Sequence, residues 1–155
     1  HGHQEVIKLL LAAGADIDAQ TNGQGSALNA AARHGNNEVI KLLLDAGADI
    51  DAQINGQGSA LNAAARHGHV EVVSLLLAKG ADANVQNNSQ GSALNAAARH
   101  GQLAIVKILV ENGADVNART NGQGSAVEAA SRHKHKDIVK YLRAVWLSVN
   151  GILPR

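Results

Sequence analysis

The sequence predicts an all-α solenoid, a stack of helix pairs joined by short β-hairpin connectors. Three observations lead there. The stretch Gly25–Gly35, Gly-Ser-Ala-Leu-Asn-Ala-Ala-Ala-Arg-His-Gly, returns nearly letter for letter at Gly58–Gly68 and Gly91–Gly101, and in altered form at Gly124–Lys134. Its serines, Ser26, Ser59, Ser92 and Ser125, step by 33 residues, and a fixed period of that size marks a stacked repeat array. A second pattern follows each copy, as in Glu38-Val39-Ile40-Lys41-Leu42-Leu43-Leu44, whose apolar positions form one broad helical face.

Composition narrows the possibilities. The 155 residues include one Trp, one Tyr and no Phe, so the core must be built from Leu, Ile, Val and Ala. Repetition makes that feasible, because each unit buries its apolar face against its neighbours. The absence of cysteine excludes disulfides, thiol nucleophiles and thiolate metal sites, and fits a reducing compartment. No apolar run approaches the roughly 18 residues of a membrane span, and the start, His-Gly-His-Gln-Glu, is not a signal peptide. The expectation is a cytoplasmic protein with no membrane partner. A net charge of +1 gives no bulk attraction to nucleic acid, which makes that partner unlikely.

Taken in order, the chain divides into a partial first unit (1–19), three full units (20–52, 53–85, 86–118) and a last unit with a C-terminal cap (119–155). His1 falls on the register of His34, so the helix expected before Gln4–Ala13 is missing, and the chain is expected either to be cut from a longer array or to lack upstream residues for another reason. The second helices are expected at Glu5–Leu11, Glu38–Leu44, Glu71–Leu77, Ala104–Val110 and Asp137–Arg143. All but the last run into Gly-Ala-Asp at Gly14, Gly47, Gly80 and Gly113, where glycine accepts the left-handed backbone that ends a helix. Polar connectors follow. Asn22-Gly23, Asn55-Gly56 and Asn121-Gly122 signal tight hairpin tips, while the third connector carries Asn88-Ser89. Each first helix opens on its serine as N-cap, and Ser125-Ala126-Val127-Glu128 completes a capping box. The run Ala30-Ala31-Ala32 favours helix and lets neighbouring helices approach closely. At the far end, Trp146 replaces the glycine of the register, so the last helix is expected to run on. The apolar residues Trp146, Leu147, Val149, Ile152 and Leu153 read as an end cap or a self-association patch.

Helix, turn, helix, Gly-Ala-Asp and hairpin at this period resemble the ankyrin repeat over essentially the whole chain. Gly47-Ala48-Asp49-Ile50-Asp51-Ala52 and Gly113-Ala114-Asp115-Val116-Asn117-Ala118 are close to the family's Gly-Ala-Asp-Val-Asn-Ala. Where the family commonly has Thr-Pro-Leu-His, this chain has Ser26-Ala27-Leu28-Asn29, repeated at 59–62 and 92–95. Serine keeps the capping hydroxyl, and Asn29 stands where the histidine's hydrogen-bonding network would be. The Gly-Ser-Ala-Leu-Asn-Ala-Ala wording is similar to the ankyrin arrays of fungal NACHT-type (STAND) receptors, which implies the ligand-sensing end of a larger receptor.

The resemblance implies a non-catalytic module that binds a protein or peptide on a concave face. By register its binding positions are Gln20, Asn22, Arg33 and His34, then Gln53, Asn55, Arg66 and His67. Gln86, Asn88, Arg99 and His100 follow, and then Arg119, Asn121, Arg132 and His133. They hardly vary between units, so the surface carries a ladder of Arg-His pairs. Two compatible readings of the ladder stay open. Evenly spaced guanidinium groups suit an acidic or phosphorylated segment or a nucleic-acid backbone, whereas recent duplication yields identical copies without selection. Six connector aspartates, Asp16, Asp18, Asp49, Asp51, Asp82 and Asp115, could offset part of the arginine charge. A structural or oligomerising segment, self-associating through either array end, is the third reading.

Chemistry beyond binding finds little support. Helices packed about 8–10 Å apart cannot bring His34, His67, His100 and His133 pairwise to one metal, since each ligand must lie about 2 Å from it. Every unit contains Ser, His and Asp, which is a reason to distrust any triad, and no Walker or dinucleotide loop is present. The chain is therefore expected to need no cofactor and no metal, and to be no enzyme.

Overall fold

The computed structural model describes residues 2–20, 25–53, 56, 58–87, 91–120, 122 and 124–151. Its elements follow in order: α1 (Gly2–Ala12), α2 (Ala27–Arg33), α3 (Asn37–Asp45), α4 (Ala60–His67), α5 (Val70–Ala78), α6 (Ala93–Arg99), α7 (Leu103–Glu111), β1 (Arg119–Thr120), β2 (Gly124–Ser125), α8 (Ala126–Arg132) and α9 (Lys136–Val149). They stack in two rows. Helices α2, α4, α6 and α8 form an inner row, and each packs against its partner in an outer row of α3, α5, α7 and α9, which α1 begins.

The inner helices start where their serines cap them. The Asn29 N–H donates to Ser26 Oγ at 3.3 Å, and the same bond recurs at Ser59, Ser92 and Ser125. Each such cap stabilises its helix by about 1 kcal/mol. Outer helices end by a Schellman geometry: Ala48 N–H donates to the Leu43 carbonyl and Gly47 N–H to the Leu44 carbonyl, both at 3.0 Å. That closure requires the left-handed backbone of Gly47, φ +93°.

Side-chain size sets the shape. Ala32, Ala64, Ala97 and Ala130 are fully buried, and their small side chains let neighbouring inner helices pack closely. Longer side chains separate the outer helices. Between α1 and α3 a groove of about 610 Å³ opens beside Gln4, Lys8, Glu38 and Lys41. Close spacing inside and wider spacing outside curve a stack toward its inner row. The core lies between the rows, where Leu61, Leu94, Ile105, Leu109, Ile138 and Leu142 are at most 1% exposed; each such burial contributes about 1.5–3 kcal/mol.

The connectors are short, as the turn signals predict. β1 and β2 pair antiparallel, Arg119 with Ser125 and Thr120 with Gly124, and Asn87 bridges Gly91 at the preceding connector. Gly56 and Gly122 both have φ +78°, the sign that an Asn-Gly tip demands at its second residue. The last helix does run on: α9 has 14 residues where α3, α5 and α7 have nine. Trp146 and Val149 remain 41% and 65% exposed on it, while Ile152 and Leu153 lie outside the described residues.

Candidate functional site

Three sets of hydrogen bonds join each unit to the next and fix the surface. The first is made by the asparagines of the repeated Ser-Ala-Leu-Asn stretch. Asn29, Asn62 and Asn95 are buried and donate through Nδ2 to the carbonyls of Gly58, Gly91 and Gly124, at 3.2, 3.0 and 3.1 Å. Their Oδ1 atoms are buried without a hydrogen-bond partner among the described residues, so each unit contact carries an acceptor left unpaired, a cost of about 1–3 kcal/mol where no water reaches it.

The second set runs along the connectors. Asp18, Asp51 and Asn84 accept through side-chain oxygens from the backbone N–H of Asp49, Asp82 and Asp115, at 3.0, 3.0 and 2.7 Å. Asp16, Asp49, Asp82 and Asp115 each accept from the N–H two residues on. The connector aspartates thus fold the backbone, and none makes an ion pair with the ladder arginines among the described residues. Burial, outweighing the Asp82 N–H, raises the Asp51 carboxyl above its ordinary range, with the Asp82 and Asp49 charges adding to it.

The third set was not foreseen from sequence. His69 Nε2 lies 2.9 Å from the Arg33 carbonyl oxygen, and His135 Nε2 lies 3.0 Å from that of Arg99; a carbonyl only accepts, so Nε2 carries the proton. Each ring lies over a glycine of the preceding unit. A Cβ on Gly35 would stand 2.7 Å from His69 Nδ1, and one on Gly101 would stand 2.7 Å from His135 Cε1. Gln102 covers Gly68 in the same way. The signal lay in the register: glycine ends each of the first three inner helices, and a long polar side chain follows one unit later.

Arg33, Arg66, Arg99 and Arg132 stand in a row at the C-terminal ends of the inner helices, with the exposed His34, His67, His100 and His133 beside them. The groups sense one another. Burial is the first cause of the lowered Arg99 pKa, followed by the charges of Arg66 and Arg132. His100 is lowered by burial and then by Arg66, Arg99, His133 and His67. His67 is lowered by burial and then by Arg66, His69, Arg33 and His34. Among the described residues, Arg33, Arg66 and Arg99 have no carboxylate partner, whereas Glu128 takes Arg119 at 2.9 Å and reaches Arg132 at 3.8 Å.

The connector positions stand elsewhere. Gln20, Gln53 and Gln86 are exposed just ahead of the hairpins, at the opposite end of the inner helices from the arginines. Arg119 is drawn to α8 by Glu128. Asn22, Asn55, Asn88 and Asn121 lie outside the described residues. The serines are helix caps, with Ser26, Ser59 and Ser92 buried, and no group of three His, Cys, Asp or Glu able to hold a metal ion occurs among the described residues.

A family model of ankyrin repeats (three copies) matches residues 1–87 and again 61–147. The chain belongs to the ankyrin repeat family. Among curated proteins, none matches it. Ankyrin repeats are in general non-catalytic modules for protein–protein interaction, and among the described residues no helix is long and apolar enough to cross a membrane.

Proposed function

We propose that this ankyrin array is a recognition module whose inner face takes a segment of another protein along the Arg-His row. The observation that carries the reading is charge left unmatched: three arginines of the row have no carboxylate partner among the described residues, although the chain as a whole is nearly neutral. A partner that supplies those carboxylates gains charge-assisted, bidentate hydrogen bonds. The similarity to fungal receptor arrays extends the reading to the sensing end of a larger cytoplasmic receptor.

Selecting peptides displayed on phage against the array tests it. Selected segments are expected to bind the native chain and to lose at least about tenfold in affinity on Arg33→Glu/Arg66→Glu/Arg99→Glu. They should keep their affinity on Lys8→Glu/Lys41→Glu, which reverses charge on the outer row. Equal binding to both variants would sink the reading. The exposed apolar residues Val6, Leu9 and Leu10 on α1 and Trp146 on α9 favour a second reading, self-association through the array ends, and light scattering that shows a concentration-dependent mass would support it.

A further inference from the structure

The spacing of the row restricts what can lie on it. Its arginines repeat once per unit, and neighbouring helices pack about 8–10 Å apart. A polyproline II segment has three residues per turn and rises about 3.1 Å per residue, so every third side chain lies on one face about 9 Å apart. A β-strand alternates faces and cannot keep every third residue on one side. An α-helix brings side chains onto one face about every 5.4 Å, so it meets the spacing only with acidic residues on every second turn, about 10.5 Å apart and just beyond the range.

Resting on the reading above, we propose that the ligand of the row is an acidic polyproline II segment whose carboxylates or phosphates stand at positions i, i+3 and i+6, one each for Arg33, Arg66 and Arg99. Several features prepare the surface for it. The residue one turn before each arginine along its own helix is an alanine, Ala30, Ala63, Ala96 or Ala129, so no long side chain stands beside the guanidinium from the preceding turn. His69 and His135 pin the backbone carbonyls of Arg33 and Arg99, which fixes those two rungs before any ligand arrives. A cation in the last turn also favours the helix dipole, but lysine would serve that purpose equally. The outer row uses lysine at Lys8, Lys41, Lys107 and Lys140, while the ladder is arginine throughout; arginine's planar fork is what a carboxylate or phosphate fits.

Duplication alone explains the ladder poorly. The outer helices of the same units read NEVIKLLLD, VEVVSLLLA and LAIVKILVE, so the copies have had time to diverge. Packing explains why Ala64, Ala97, Leu61 and Leu94 did not. It does not explain Arg66 and His67, which are exposed. Nucleic acid is the weaker fit, because no Trp, Tyr or Phe occurs between residues 1 and 140 to stack on bases.

Fluorescence anisotropy with labelled peptides tests the register. One peptide carries glutamates at i, i+3 and i+6 with proline between them; a second has the same composition with glutamates at i, i+2 and i+4; a thymidine oligonucleotide is the third probe. The first is expected to bind at least about tenfold tighter than the second, to weaken steeply with salt, and to be lost on Arg66→Glu but not on Lys8→Glu/Lys41→Glu. Circular dichroism checks that the variants remain folded. Equal affinity for both peptides, still lost on Arg66→Glu, overturns the register and leaves the reading of the face standing. Peptide binding indifferent to Arg66→Glu overturns both. Tighter binding of the oligonucleotide, or binding of no probe, overturns the acidic segment as ligand.

Discussion

The inner and outer rows are built from the same repeats yet obey different constraints. The inner helices α2, α4 and α6 read ALNAAAR without variation, because each packs closely on its neighbours and donates an asparagine bond across the joint. Outer helices keep only an apolar face toward the inner row and otherwise change freely. The difference teaches that close spacing, more than hydrophobicity, disciplines a sequence, since a surplus methylene has nowhere to go between two alanines.

The largest expected effect comes from hollowing the inner row. Leu94 is 1% exposed, and Leu94→Ala should cost about 2–5 kcal/mol in urea unfolding; a loss under 1 kcal/mol would mean that the rows are less tightly joined than described. Adding bulk should separate the rows more cleanly. Ala97→Leu, at a fully buried inner position, is expected to cost about 1–3 kcal/mol or more, whereas Ala104→Leu on the exposed side of α7 should fall within about 0.5 kcal/mol of native. Equal costs would abolish the distinction.

A third pair of variants has opposite signs. Gly101 has φ +75° and lies beneath His135, so Gly101→Ala should cost about 1–2 kcal/mol from the backbone alone, with displacement of the ring added. Lys134 occupies the same register with φ +62°, the one non-glycine with positive φ among the described residues. Lys134→Gly should therefore stabilise by about 1 kcal/mol, read as a raised thermal midpoint.

The smallest effect is electrostatic. His67 and His100 have pKa values lowered below 6.5, so as pH falls through 6.5 the unfolded chain takes up protons first and stability declines, levelling once the folded histidines titrate. Urea midpoints should thus be lower at pH 5 than at pH 8. His100→Gln should show a smaller slope, and an unchanged slope would place the pH sensitivity elsewhere. A bound anionic segment would favour the protonated rings, so peptide affinity should move the other way and rise as pH falls toward 5.5.

Much of the fold was legible because it is local. Serine caps, glycine terminators and apolar helical faces are decided within a few residues, and each stands where the repeat puts it. What crosses between units was not legible. A period says that Asn29 and Asn62 are equivalent; it does not say that Asn29 reaches the Gly58 carbonyl, 29 residues on. The same holds for His69, whose ring serves as a strut to Arg33, 36 residues back. The connector aspartates were read as counter-charges to the arginines, and the structure commits them to backbone N–H groups. The Arg-His row was legible as a register, whereas its lack of carboxylate partners at Arg33, Arg66 and Arg99 among the described residues is seen only in the structure. Glu128 shows why: it stands in the asparagine register, and its carboxylate is engaged with Arg119 and Arg132.

The joints on either side of residues 53–85 are each held by one asparagine, one connector side chain and one residue over a glycine, at nearly the same offsets, and the outer joints keep part of that set. Such a stack is a chain of similar links in series under load. Drawn out by its two ends, it is expected to yield one link at a time, each freeing 33 residues and therefore about 110 Å of extended chain. A force–extension trace would then show a sawtooth whose even teeth count the units.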